Sequence, residues 1–312
     1  MDESIDLQVN GYAGVDFNAD DVTPEQFAAA CRQLKADGVD QILATVITAS
    51  IDRLEHRLMN IVSAREADEL VAATIRGIHI EGPFLNPEPG YIGAHPTEHA
   101  RVADLDVAKK LIDAAGGLAS ILTLAPERDA GLKVTRWLSD HAVTVAAGHC
   151  NPTLDELKAA MDAGLSMFTH LGNGCPLMLH RHDNIVQRVL SLSDDLAIGF
   201  IADGIHVPFV ALGNYFKITG LARAFIVTDA ISAAGMGPGE YTLVGQRVIV
   251  DEDLATWSSD RSHLVGSAMT MPRVRTNLRD RLGFDDAAIT LLTRTNPARA
   301  IAADSSTIEL PI

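Results

Sequence analysis

The stretch His79-Ile80-Glu81-Gly82-Pro83-Phe84-Leu85-Asn86 follows directly on an apolar run that begins at residue 72. The run predicts a buried β-strand that ends on the Glu81 carboxylate and is followed at once by Gly-Pro. Because proline lacks a backbone N–H and Gly-Pro steps mark turns, neither a strand nor a helix continues past this point. The segment therefore predicts a strand whose carboxyl end presents Glu81 at the rim of a sheet. By the strand period of two, His79 shares the face of Glu81, either as a supporting partner or as core.

Three more apolar runs end on a side chain that can hold a metal ion or a proton. Residues 143–148 lead to His149, residues 165–169 lead to His170, and residues 224–228 lead to Asp229. A single histidine at a strand end is more often a packed, hydrogen-bonded residue than a ligand. Four such side chains at four strand ends favour one common site, with the rest of the chain as its scaffold.

Strand-like runs alternate with helix-like segments along the chain. Strands are predicted at residues 4–10, 40–48, 74–80, 120–124, 142–148, 165–169, 196–202 and 223–228. Capping-box patterns at residues 23–26 and 153–156 predict helix starts, and several helices are expected to end at Gly38, Gly116, Gly164 and Gly220. Eight strands joined by helices indicate an α/β fold with a parallel sheet closed into a (β/α)8 TIM-like barrel. An open doubly wound sheet is the alternative, and it also places ligands at strand carboxyl ends.

The alternation changes after Asp229. Residues 241–250, arranged around Gly245-Gln246, predict a β-hairpin inserted after strand eight, within about residues 236–263. Two closing helices are expected at residues 267–282 and 285–301. We take residues 1–304 as one barrel domain and residues 305–312 as a C-terminal tail.

Composition excludes several classes of protein. The chain has 312 residues, of which 47% are hydrophobic, which is enough for a large core. Lysine and arginine total 25 against 41 aspartates and glutamates, and the resulting charge of −16 argues against nucleic-acid or membrane partners. Three cysteines without a CxxC pair, and no apolar run of about 18 residues, predict a cytoplasmic protein without a membrane span.

Glutamate and two histidines with one open coordination position form a recurrent catalytic zinc site. A cation bound there would lower the pKa of a coordinated water from about 15.7 to about 7 and would polarise a carbonyl. A nearby carboxylate must then pass the proton of the water to a leaving group. Glu81, His149 and His170 are the candidate ligands, and Asp229 is the candidate general base and acid.

Motifs over nearly the whole chain resemble those of the N-acetylglucosamine-6-phosphate deacetylases, a family of the amidohydrolase superfamily. The most specific is EGPF at residues 81–84 with Gly93-Ala94-His95-Pro96 shortly after it. The others lie at residues 148–149 (GH), 169–171 (THL), 202–207 (ADGIHV), 227–230 (VTDA) and 266–271 (GSAMTM). The resemblance implies a distorted (β/α)8 barrel that hydrolyses the acetamide of a 6-phosphorylated amino sugar to acetate and the free amine.

The resemblance also implies roles for individual residues. It matches Glu81, His149 and His170 to metal ligands and Asp229 to the general base and acid. His95 matches a residue near the acetyl group of the substrate, where an imidazole can donate to the developing oxyanion. The further substrate contacts that it implies are Ala94, Asn173, Gly174, Leu264, Val265 and Gly266, with Arg181 and His206 as cationic contacts to the sugar phosphate.

Three features depart from the family pattern. Many amidohydrolases carry His-x-His in strand one, whereas Gln8 and Asn10 stand here. These amides are poor zinc ligands, so we expect one divalent ion per active site, zinc by preference, with iron, cobalt or manganese as alternatives. Residues 179–184 differ from the more usual Arg-Glu-Pro-Gly form, which leaves the preferred sugar open. The β-sandwich that usually flanks the barrel is expected to be largely absent.

Three functions remain open. The first is a metal-dependent N-acetylglucosamine-6-phosphate deacetylase, a homodimer acting on a phosphorylated N-acetyl amino sugar. The second keeps the chemistry but changes the substrate, to N-acetylgalactosamine 6-phosphate or to an amide of the kind cleaved by D-aminoacylases and dihydroorotases. The third is a non-catalytic barrel that binds sugar phosphates, and the presence of all four strand-end residues argues against it.

Overall fold

A computed structural model describes residues 3–243 and 245–302. Its main sheet has eight parallel strands whose order in space follows their order in the chain. Strands are numbered in chain order, and β2 (Gly11–Tyr12) and β3 (Val15–Asp16) form a separate short pair. The eight strands of the main sheet are β1 (Ser4–Val9), β4 (Val39–Ile47), β5 (Ile75–Glu81), β6 (Ala119–Leu124), β7 (Thr144–Ala147), β8 (Leu165–Phe168), β9 (Ala197–Ile201) and β10 (Ala224–Val227). The predicted (β/α)8 barrel is confirmed, and the open doubly wound alternative is excluded because that fold reverses its strand order.

Helices connect most of the strands and cover the outside of the barrel. They are α1 (Pro24–Ala36), α2 (Ile51–Ala67), α3 (Glu69–Thr74), α4 (Leu105–Ala114), α5 (Lys133–Asp140), α6 (Leu154–Asp162), α7 (Ile185–Leu190) and α8 (Phe209–Thr219). Both predicted capping boxes form, Thr23 with Gln26 and Thr153 with Glu156. Among the described residues, none of the helices combines the length and the hydrophobicity of a membrane span.

The barrel closes between its first and last strands without a regular ladder. The backbone N–H groups of Asn10 and Gly11 both donate to the carbonyl of Ala230, at 2.7 and 3.2 Å. Below them, the buried Asp6 carboxylate accepts from the hydroxyl of Thr228 at 2.6 Å and from its backbone N–H. A side chain thus replaces part of the hydrogen bonding that a ladder supplies elsewhere in the sheet.

The inserted hairpin is present and has a third strand. Strands β11 (Gly239–Leu243), β12 (Gln246–Val250) and β13 (Thr256–Ser258) form an antiparallel sheet after β10. The first closing helix, α9 (Met271–Leu282), begins four residues later than predicted, because Ser267 instead pairs with Ala230 in a parallel bridge. The second consists of α10 (Asp286–Thr290), a π-helical turn (Leu291–Thr295) and α11 (Asn296–Ala300). The predicted tail, residues 305–312, lies outside the described residues.

The lower interior of the barrel is filled by side chains. Nine buried apolar residues pack there, with Ala298, Ala300 and Ile301 beside them: Ile5, Leu7, Leu43, Ile121, Ala146, Met167, Ile201, Phe225 and Val227. His79 joins this interior, since its ring nitrogens meet the carbonyl of Leu7 at 3.2 Å and the hydroxyl of Thr123 at 2.7 Å. Space for a ligand therefore remains at the carboxyl ends of the strands, where the four predicted side chains are.

Candidate active site

Each of the four predicted side chains lies at a strand end. Glu81 is the last residue of β5, while His149, His170 and Asp229 each follow two residues after β7, β8 and β10. Those three have left-handed backbones, with φ of 50°, 36° and 51°. Residues other than glycine pay about 1 kcal/mol or more for that conformation, and such positions cluster at functional sites. The strained turns direct all three side chains into the mouth of the barrel.

Glu81 is the centre of the group. Its Oε1 lies 2.8 Å from Nε2 of His170 and 3.3 Å from Nε2 of His149. Its Oε2 lies 3.1 Å from the amide nitrogen of Gln8 and 3.9 Å from Nε2 of His95. All five side chains are buried, so a single buried carboxylate is surrounded by three imidazoles and one amide.

The hydrogen bond at Nδ1 of His149 determines which nitrogen of the neutral ring carries the hydrogen. Nδ1 of His149 lies 2.8 Å from the carbonyl oxygen of Tyr91, which can only accept, so Nδ1 carries the hydrogen. In the neutral ring, Nε2 is then a bare lone pair facing the Glu81 carboxylate. Two acceptors that face each other at 3.3 Å need either a proton or a metal cation between them. This donor set therefore fits a divalent metal ion.

His95 lies close enough to Glu81 and His149 to be a metal ligand and not only a contact to substrate. Ligand atoms of Glu81, His95 and His149 all lie within 4.8 Å of one another. Nδ1 of His95 meets the hydroxyl of Thr48 at 3.0 Å, and that hydroxyl also lies 3.3 Å from the carbonyl of Glu81. The geometry thus offers His95 as a fourth nitrogen near Glu81, beside the predicted set that contains His170.

Charge and burial oppose each other in this cluster. Burial disfavours ionisation of Glu81, but the adjacent imidazoles of His149 and His170 outweigh it and hold the pKa of Glu81 well below its usual value. Burial likewise acts against a charged His170, yet the Glu81 carboxylate raises the pKa of His170. Burial, followed by repulsion from Glu81, raises the pKa of Asp229 to about 6. Asp229 therefore has an affinity for protons suited to both taking up and releasing one near neutral pH.

Two glycines hold the His149 ring from the loops above it. A Cβ at Gly174 would lie 2.9 Å from Nδ1 of His149, and one at Gly93 would lie 3.0 Å from its Cε1. Both glycines have left-handed backbones, with φ of 63° and 60°. The structure therefore gives Gly174 a packing contact with His149, and its predicted contact with substrate stays a prediction.

A cavity at the barrel mouth collects most of the predicted residues. Ten of them line it: Glu81, Ala94, His95, His149, His170, Asn173, His206, Asp229, Leu264 and Gly266. Val265 is buried instead, in an apolar cluster with Ile231 and Leu243. Arg181 is exposed on the loop that follows β8 and does not line the cavity. Its predicted contact with a phosphate stays a prediction.

Several residues of the site were not singled out by the sequence. Asn10, which the sequence offers only as a missing ligand, donates its amide to Oδ1 of Asp229 at 2.7 Å. Thr48 directly follows β4, and Asp203 follows two residues after β9, where it holds His206. Both occupy strand ends like the four predicted residues. The same positional rule, extended to every strand, would have found them.

Comparisons with known proteins agree with this geometry. The chain is 31% identical to the N-acetylglucosamine-6-phosphate deacetylase of Bacillus subtilis, over 95% of this chain and 74% of that protein. The chain belongs to the N-acetylglucosamine-6-phosphate deacetylase family. It is also 30% identical to the N-acetylgalactosamine-6-phosphate deacetylase of Escherichia coli O157:H7, over 96% of this chain and 77% of that protein. No family model matches the chain.

Solved structures of the deacetylase family share the fold of nearly all of this chain. A variant of the Mycobacterium smegmatis enzyme, in complex with N-acetyl-D-glucosamine-6-phosphate, aligns with a TM-score of 0.86 and 29% identity, over 96% of this chain and 77% of that one. The Pasteurella multocida enzyme aligns with a TM-score of 0.84 and 28% identity, over 97% and 77%. The chain thus spans about three quarters of the length of these family members.

Proposed function

We propose that this protein is a metal-dependent deacetylase that converts N-acetylglucosamine 6-phosphate to glucosamine 6-phosphate and acetate. The observation that carries the proposal is the convergence of Glu81, His149, His170 and Asp229 in one buried cavity. Family membership supports the substrate class. The intact set of four argues against a barrel that only binds sugar phosphates.

Glu81, His149 and His170 would hold the divalent ion, with His95 either as a further ligand or as a donor to the acyl oxygen. A cation held there supplies Lewis acidity to the acyl carbonyl and to the attacking water. The choice of zinc follows from the nitrogen and carboxylate donors, which also suit iron, cobalt or manganese. We propose one ion per site, because the amides of Gln8 and Asn10 already bond to Glu81 and Asp229.

The proton transfers fall to Asp229. Its Oδ1 is occupied by the Asn10 amide, so Oδ2 is left to take the proton of the attacking water. The same carboxyl group then delivers that proton to the leaving nitrogen, which must be protonated for the C–N bond to break. Ile231, Leu243 and Leu264 supply an apolar wall to the cavity, and this wall strengthens the electrostatic interactions within it.

Two further features belong to the proposal. A cytoplasmic location is supported by three free cysteines, two of them buried, which suit a reducing compartment. A homodimer is supported by Leu177 and Met178, which are 103% and 89% exposed on the loop after β8, beside the exposed Arg181. Large exposed apolar side chains commonly mark contacts between proteins.

Acetate release from a panel of sugars tests the proposed function. The panel consists of the 6-phosphates of N-acetylglucosamine and N-acetylgalactosamine, together with unphosphorylated N-acetylglucosamine. We expect N-acetylglucosamine 6-phosphate to give the highest kcat/KM. The galactosamine epimer is the second candidate, because a relative of that name is 30% identical to this chain. Hydrolysis of none of the three, with metal loaded, would refute the proposal.

A further inference from the structure

His206 differs from the other histidines of the cavity. Among the described residues four histidines line the cavity, and three of them lie within 3.9 Å of Glu81. His206 instead pairs with Asp203, and no lysine or arginine of the described chain lines the cavity. His206 is therefore the cavity imidazole that is free to meet an anionic group of a ligand.

Asp203 holds His206 through three N–H groups. Its Oδ1 accepts from the backbone N–H of Ile205 at 2.8 Å and from that of His206 at 2.9 Å. Its Oδ2 lies 2.5 Å from Nδ1 of the His206 ring. Both side chains are nearly inaccessible, at 2% and 3% exposure. Asp203 therefore fixes both the backbone turn and the plane of the ring.

This arrangement determines which hydrogens the ring carries. Because a carboxylate only accepts, Nδ1 of His206 must donate to Asp203. A neutral ring would then present a bare Nε2 lone pair, which would repel an anion. To bind an anion, Nε2 must therefore carry a hydrogen as well, and the Asp203 carboxylate, 2.5 Å from Nδ1, balances the positive charge of that doubly protonated ring. In that form Nε2–H is a charged donor, and it has no partner among the described residues.

We propose that Asp203 is a positioning residue for substrate recognition, which keeps His206 as a charged hydrogen-bond donor for the phosphate group of the sugar. The inference rests on the proposed function for the identity of the substrate. It adds an aspartate, outside the cluster around Glu81, to the residues that select a phosphorylated sugar over its unphosphorylated form.

Asp203→Asn tests this with little change of shape. The amide oxygen can keep both backbone hydrogen bonds, while the amide N–H now faces Nδ1 of His206. The ring must then accept at Nδ1, so Nε2–H remains a donor but loses its charge. We expect the Kd for glucosamine 6-phosphate to rise about tenfold, the loss of one charge-assisted hydrogen bond, while the Kd for glucosamine changes less than about twofold. In turnover, KM for the phosphorylated substrate should rise more than kcat falls.

His206→Gln and the double variant complete a thermodynamic cycle. If Asp203 acts through His206, the double variant should lose no more affinity for glucosamine 6-phosphate than His206→Gln alone. Additive losses, an unchanged Kd in Asp203→Asn, or an equal loss for both sugars would each overturn the inference. Calorimetric binding needs no turnover. A protein that hydrolyses none of the N-acetyl sugars of the panel would refute the proposed function, and the binding comparison with the deacetylated sugars would still decide the role of Asp203.

Discussion

The side-chain amide of Asn10 donates to Oδ1 of Asp229 at 2.7 Å and joins the end of the first barrel strand to the end of the last. The bond holds the carboxylate in one orientation and occupies one of its two oxygens. In the proposed mechanism, Asn10 therefore orients the carboxylate that transfers the proton. It also couples closure of the barrel to the geometry of the site.

Asn10→Leu should lower kcat for acetate release by about ten- to a hundredfold. A hydrogen bond to a charged group contributes about 1.5–3 kcal/mol, and the freed carboxylate can rotate away from the substrate. Bound metal should stay at the parental level, because Asn10 is not a ligand in this account. Steady-state kinetics with elemental analysis of the same sample checks both. Loss of the metal in this variant would show that Asn10 acts as a ligand after all.

Asp229→Asn should lower kcat by about a thousandfold, the range of general acid–base catalysis. The amide keeps the size of the side chain but cannot accept the proton of the water. Asp195→Asn, at an exposed surface position, serves as the matched control and should match the parent. If Asp229→Asn releases acetate as fast as the parent, the assignment of the proton transfer is wrong.

Gly174→Ala should weaken metal binding by about tenfold, the usual effect of disturbing the neighbours of a ligand. The added methyl would lie 2.9 Å from Nδ1 of His149 and force the ring to move. Gly117→Ala is the control, because Gly117 also has a positive φ, of 83°, yet nothing lies within 4 Å of its added Cβ. Competition with a chromogenic chelator measures the affinity of each variant. Equal metal affinity in the two variants would contradict the packing role.

The raised pKa of Asp6 should make the free energy of unfolding depend on pH. Burial raises its pKa from 3.8 to about 7, so the protonated side chain is favoured in the folded protein. Its stabilising contribution is complete below pH 3.8 and is lost as the pH rises to about 7, by up to about 4 kcal/mol. The free energy of unfolding of the parent, minus that of Asp6→Asn, should therefore fall between pH 4 and 7. Urea titrations at several pH values measure this difference, and a constant or rising difference would exclude the mechanism.

The strand ends were predictable because a few consecutive residues show both the buried strand and the polar side chain that follows it. An apolar run that stops on Glu81 or leads to His149 specifies a strand and the side chain at its end together, and the strands and these end positions are confirmed. The left-handed backbones at His149, His170 and Asp229 were not predictable, since histidine and aspartate, although enriched among left-handed residues, adopt that conformation in only a small fraction of cases. They are imposed by tertiary contacts such as the bond from the Asn86 N–H to the His149 carbonyl.

The sequence also did not predict contacts between segments that are distant along the chain. The sequence marked Gly174 as a substrate contact, but its packing against His149 depends on how the loop after β8 folds over the barrel. The pairing of Ser267 with Ala230 delayed the start of the first closing helix for the same reason. The sequence predicts no role for Asp203 or Thr48, because aspartate and threonine are common at the starts of loops. Their roles depend on the neighbours His206 and His95, which only the fold brings into contact.

Titration of the metal-free protein with a divalent metal, read out as acetate release from N-acetylglucosamine 6-phosphate, is the most direct test of a single metal centre around Glu81. We expect chelator-treated protein to be inactive, and activity to rise linearly and saturate near one equivalent of metal per chain. Full activity of the metal-free protein, or saturation only at two equivalents, would contradict a single metal centre formed around Glu81.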